Sequence, residues 1–243
     1  MKKSREYSKE DIAKWADSLA YELVSAKIHM LHADAIRELV PKYRFRIQKF
    51  ADIWGYTYWA HVDATIMHLC RVYDRTSLNL HRLLLAMREH EDWINKSAAR
   101  EEVRRHPILS DAADKIRDID TNQLASDARD VSQANDRVSV LQKWRDRRFF
   151  HKTSDDVWNF ERFTRRHPLR NSDISWLIQN GLKILNRYTY QTVGKASYVR
   201  GDLTQEYRKV FEIILRAQKG VRGPAASAQA GRGSVIKLQD SVG

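Results

Sequence analysis

Apolar residues recur along this chain at helical spacing almost from its start. Ile12, Trp15, Leu19, Leu23, Ile28, Leu31 and Leu39 hold the period of one helix face. They follow a Ser8-Lys9-Glu10-Asp11 capping box and run to a break expected at Pro41. A second pattern begins after Pro41 and has room to kink at Gly55; its later half sets Trp59, Val62, Ile66, Leu69 and Tyr73 on a buried stripe. Leu80, Leu83, Leu84, Met87 and Ile94 predict a third helix over 79–96. Residues 97–121 are charged, poorly periodic and interrupted by Pro107, which reads as a connector with short helical pieces. A further helix from about residue 122 carries Val138, Leu141, Trp144 and Phe149, and two more are predicted over 172–192 and 203–217.

Before residue 180 only Gly55 and three prolines punctuate the pattern, and no segment reads as a strand. The expected fold class is therefore all-α, an up-and-down helical bundle. Residues 1–217 are expected to form one helical domain. Residues 218–243 hold five of the nine glycines with Ala, Ser and Gln, lack the apolar density to fold, and are expected to form a flexible tail.

Charge changes this picture from a generic bundle to one with a polyanionic partner. The net charge of +12 and pI near 9.8 favour nucleic acid over an anionic surface, with a merely solubilising charge as the plain alternative. Cys70 is the only cysteine, which excludes internal disulfides and cysteine-rich metal sites. The basic N-terminus leads into no apolar signal segment, and no run reaches the roughly 18 apolar residues of a membrane span. A cytoplasmic protein with no membrane partner is expected.

The densest chemistry lies in Lys143-Trp144-Arg145-Asp146-Arg147-Arg148-Phe149-Phe150-His151-Lys152. Arginine and histidine with four to six residues between them should occur about three times by chance at this composition. They occur four times, at Arg75–His81, Arg100–His106, Arg145–His151 and Arg162–His167. Only Arg145 is followed directly by Asp, Asn or His, so the fuller motif singles out this one.

This motif resembles the signature of the HEPN superfamily. The order of segments is similar to its abortive-infection AbiU-type branch over roughly residues 10–216: a helix ending Leu69-Cys70-Arg71-Val72-Tyr73-Asp74, a Leu-rich helix, a charged connector, Trp144-Arg145-Asp146…His151, then two closing helices. The resemblance implies a four-helix core with additional N- and C-terminal helices. It also implies a homodimer with the motif at its interface and a metal-independent ribonuclease acting as a toxin or in phage defence, with a possible antitoxin protein as partner. Phe150 departs from the small residue usual before the histidine. Thr153 stands where another branch has a regulatory tyrosine.

Residue chemistry is compatible with that activity. An imidazole titrating near neutrality suits His151 as acid/base, and the planar fork of Arg145 suits phosphate oxygens. Asp146 or Asp155 can orient either cation, while Lys152, Arg147 and Arg148 favour a neutral His151 by like-charge repulsion. Along a straight α-helix Arg145 and His151 stand roughly 120° apart, so two copies facing across a symmetric interface would serve one phosphate better than one copy. Arg71 and Asp74 form either an intrahelical pair or a support for the motif. Asp63 is expected to be half-buried and structural. Arg162, Arg165, Arg166 and Arg170 join Arg147 and Arg148 as candidate RNA contacts. No cofactor is called for: His29 with His32, and His61 with His68, lack a third metal ligand. The rival reading is a non-catalytic RNA-binding or toxin–antitoxin interaction module using the same basic face.

Overall fold

In the computed structural model the first helix, α1, spans Lys9–Ile47. It opens as the capping box requires: the Ser8 backbone N–H donates to Asp11 Oδ2 (3.1 Å), and the Asp11 N–H donates to Ser8 Oγ (3.1 Å). The structure describes residues 7–47, 50–89, 100–101, 104–105, 120–150, 160–193 and 203–221. After α1 come α2 (Ala51–Val72), α3 (Leu80–Glu89), α4 (Thr121–Asp130) and α5 (Asp136–Trp144). A π-helical segment, Arg145–Phe150, follows α5 directly. The remaining helices are α6 (Phe160–Arg166), α7 (Asn171–Val193) and α8 (Thr204–Val221). Among the described residues there is no strand, and the fold is an all-α helical bundle.

Two boundaries differ from the sequence pattern. α1 does not stop at Pro41 but continues to Ile47. Proline deletes one helical hydrogen bond at a cost of about 3 kcal/mol. Leu39, Val40 and Tyr43, on both sides of Pro41, pack into one cluster with Trp54, Tyr207 and Phe211, and burying that surface outweighs the loss. The helix expected from about residue 122 is instead two helices. Ser132 and Asn135 break it: Ser132 N–H donates to the Arg129 carbonyl, and Asn135 Oδ1 caps α5 by accepting from Arg137 N–H (3.0 Å). The third helix is described only to Glu89, and the connector lies almost wholly outside the described residues, as does the tail beyond residue 221.

The chain divides into two compact units. The first comprises residues 1–26, 66–198 and 242–243. Its core joins Trp15, Leu19 and Leu23 of α1 to Ile66, Leu69 and Cys70 of α2, Leu80, Leu83, Leu84 and Met87 of α3, Leu141 and Trp144 of α5, and Leu177, Ile178 and Leu185 of α7. Gly181 of α7 sits so close to α1 that a Cβ there would lie 2.8 Å from both Leu23 Cδ2 and Tyr73 Oη. The one buried carboxylate among the described residues of this core, Asp127, is answered by Arg187, by Tyr188 Oη (2.7 Å) and by Gln123 Nε2 (2.9 Å).

The second unit, residues 27–65 and 199–241, holds the Leu39–Phe211 cluster and three histidines. His29 Nδ1 lies 2.9 Å from His61 Nδ1, His32 stacks on His61 with ring centroids 4.6 Å apart, and His32 Nδ1 lies 2.9 Å from Tyr207 Oη. In the stripe expected on α2, Ile66, Leu69 and Tyr73 are buried, whereas Trp59 and Val62 are half-buried.

Candidate active site

The motif begins where α5 changes its winding. α5 buries Val138, Leu141 and Trp144, and the next residue, Arg145, opens the π-helical segment. The segment from Arg145 to Phe150 is thus wound more widely than the straight α-helix the spacing assumed, and His151 lies outside the described residues. Such segments recur at functional sites.

Arg145 is held between two carboxylates. Its Nε donates to Asp146 Oδ1 (2.8 Å), with Nη2 2.6 Å from the same oxygen, and its Nη1 donates to Asp74 Oδ1. Asp74 lies just beyond the end of α2, so the contact spans 71 residues of sequence. Its carboxylate also accepts from the backbone N–H groups of Arg75 (2.6 Å) and Ser77 (3.1 Å) and from Thr76 Oγ1 (3.2 Å). Burial works against both charges but is outweighed. Hydrogen bonds from Ser77 and Arg75 and the charge of Arg145 bring Asp74 down to about 2, while Asp146 and Asp74 raise the Arg145 pKa. A guanidinium has five N–H donors, so each Nη of Arg145 keeps a second N–H beyond these bonds.

Gln142, fully buried one turn before Arg145, ties this corner together. Its Oε1 accepts from Arg75 Nε (2.6 Å) and its Nε2 donates to the Tyr73 carbonyl (2.8 Å). Cys70 is buried close by, and burial lifts its thiol to about 12, so it is no nucleophile at neutral pH.

The second basic segment meets the same helix. Trp144 Nε1 donates to the His167 carbonyl (2.7 Å), Trp144 packs on Phe163, and the Arg147 guanidinium lies 5.4 Å from the Phe163 ring centroid. His167 carries a lowered pKa from burial and from Lys143, Arg147 and Arg166. Arg162, Arg166 and Arg170 are exposed, whereas Arg165 pairs with Glu161 (2.6 Å). Asp74 thus joins Arg145 and Asp146, and Arg147 joins the Arg162–Arg170 segment.

Arg71 does not reach this cluster. It faces Glu22 of α1 at 3.3 Å with 58% of its side chain exposed, while Glu22 also binds His68 Nδ1 at 2.6 Å. His151, Lys152 and Asp155 lie outside the described residues, and so do the side chains of Arg148 and Phe150. Asp63 is half-buried. Gln142 escaped the sequence reading. Its only signal was an amide on the buried face of an amphipathic helix, one position after Leu141.

The family model described as AbiU2, of the HEPN group, matches residues 9–214. The chain belongs to the HEPN AbiU2 family. Comparison with curated proteins and with solved structures gave no match. Membership makes this an abortive-infection-related HEPN domain, and the Arg145 cluster stands at the motif that suggested it. Among the described residues of this HEPN domain no group of His, Cys, Asp or Glu is arranged to hold a metal ion, and no helix is long and apolar enough to cross a membrane.

Proposed function

We propose that this HEPN domain is a metal-independent endoribonuclease. The observation that carries the reading is the fixing of Arg145: Asp146 holds its Nε and Nη2 and Asp74 its Nη1, which leaves one N–H on each terminal nitrogen for a phosphate. The 2′-hydroxyl, losing its proton to a base, attacks phosphorus; Arg145 stabilises the added charge on the phosphorane oxygens; the 5′-oxygen departs with a proton. His151 serves as the acid/base, and the products are a 2′,3′-cyclic phosphate and a 5′-hydroxyl. Arg147, Arg162, Arg166 and Arg170 extend a cationic, partly aromatic surface for the strand. In this reading the protein acts as a homodimer, and solution mass should be twice the 28.5 kDa of the chain.

A second reading follows from the same cluster. Two carboxylates already more than offset the charge of Arg145, as they would in a purely structural tie within a non-catalytic RNA-binding or antitoxin-binding module. Purified protein incubated with mixed RNA in excess EDTA separates the two. Cleavage by the wild type and at least a hundredfold less by His151→Ala, with RNA affinity retained, is the expected result. Salt-sensitive RNA binding with no cleavage by either protein would establish the binding module instead.

A further inference from the structure

Beside the Arg145 cluster, on the other side of Asp74, lies a half-open pocket of about 290 Å³. Tyr73, Asp74, Arg75 and Gln142 form one wall; Asn79, His81 and Arg82, at the start of α3, form another; and the turn at 131–134 closes it. The volume sits at the low end of the roughly 300–1,000 Å³ typical of small-ligand sites, enough for one nucleotide and too small for a duplex.

Two arginines here differ from Arg145 and Arg187. Arg145 and Arg187 are tied to carboxylates, whereas Arg75 is tied to the neutral Oε1 of Gln142 and Arg82 to the neutral carbonyl of Thr76 (3.0 Å). Among the described residues neither Arg75 nor Arg82 forms an ion pair, and Asp74 is already engaged by Arg145. Each guanidinium is held in place by one hydrogen bond while its charge stays unanswered and its remaining N–H groups stay available. The start of α3 adds its partial positive charge, with Asn79 Oδ1 capping the Arg82 N–H (2.8 Å). His81 has no hydrogen-bond partner among the described residues. Burial, Arg82 and Arg88 lower its pKa, so near neutral pH it offers a base one N–H and one acceptor nitrogen.

We propose that this pocket binds one nucleotide of the substrate strand, Arg75 and Arg82 gripping its phosphate and His81 meeting its base, next to the phosphate that Arg145 contacts. The proposal rests on the ribonuclease reading for the identity of the strand, while the site itself rests on the pocket.

The test is binding of a short 2′-O-methyl oligoribonucleotide, which lacks the attacking hydroxyl, followed by fluorescence anisotropy. Wild type is compared with Arg82→Ala, His81→Gln and, as a charge-matched control, Lys183→Ala on the exposed face of α7. Arg82→Ala should weaken binding about tenfold or more and His81→Gln severalfold, with Lys183→Ala within twofold. Arg82 is exposed, and thermal melts of each variant verify folding. Equal small losses for Arg82→Ala and Lys183→Ala would show diffuse phosphate binding and overturn the pocket. Free 5′-AMP binding tightly while the oligonucleotide does not would assign the pocket to a soluble nucleotide and overturn the strand assignment. Cleavage of unmodified RNA is read separately. Cleavage with unchanged Arg82→Ala binding sinks the pocket and leaves the nuclease standing, whereas pocket-dependent binding without cleavage does the reverse.

Discussion

At Asp74, burial opposes a charged carboxylate, yet hydrogen bonds and Arg145 bring its pKa down to about 2. A folded pKa below the unfolded value near 4 gives stability that is fully present above about pH 4 and is lost as pH falls towards 2. Asp74→Asn should therefore destabilise the protein by ~1–2 kcal/mol near neutral pH, with the gap to wild type closing between about pH 4 and pH 2. Urea unfolding across that range measures it; a gap independent of pH would mean that Asp74 does not stay charged against Arg145. Cleavage should fall as well, because Arg145 loses the group that aims it. His61 shows the opposite chemistry: burial, then His32 and His29, lower its pKa to about 4. The unfolded chain then binds the proton first, so stability declines as pH drops from about 6.5 towards 4. His61→Asn should flatten that decline in thermal melts, and an unchanged slope would place the effect elsewhere.

Among the elements, the helices were largely legible and their junctions were not. The Ser8–Asp11 box and the periodic faces of α3 and α7 appeared where the pattern put them, because caps and i, i+3, i+4 spacing are local properties; on α8 Phe211 is buried but Val210 is exposed. The split between α4 and α5 was missed because the hydrophobic period continues across Ser132–Asn135, whereas the backbone there bonds locally. The π winding at Arg145 has no sequence mark. Nor does Gly181, which reads as an ordinary mid-helix glycine although it is the point where α7 meets Leu23 and Tyr73. Alanine in place of helical glycine usually gains up to about 1 kcal/mol. Here the added methyl must displace Leu23 and the Tyr73 hydroxyl, which donates to the Leu177 carbonyl (2.7 Å), so Gly181→Ala should lower stability by about 1–3 kcal/mol. A rise in urea midpoint would show that α1 and α7 have slack at this point.

Over the whole molecule, the net charge of +12 makes an ionic-strength prediction that does not depend on any one residue. If three or more phosphates are contacted, RNA affinity should fall at least tenfold between about 50 and 200 mM salt; a flat response in filter binding would mean the charge serves solubility alone. Composition, helical class, the Ser8–Asp11 cap and the Arg145-Asp146 motif were legible in the sequence, since each depends on residues within a few positions of one another. Tertiary structure alone decided the partners: Arg145 with Asp74 across 71 residues, Arg71 with Glu22 rather than Asp74, three histidines from two helices in one cluster, and Arg75 and Arg82 on neutral oxygens rather than carboxylates. Which side chains meet depends on the rotation and axial register of one helix against another. Those are set by how the cores of α1, α2, α5 and α7 pack, and no local pattern records them.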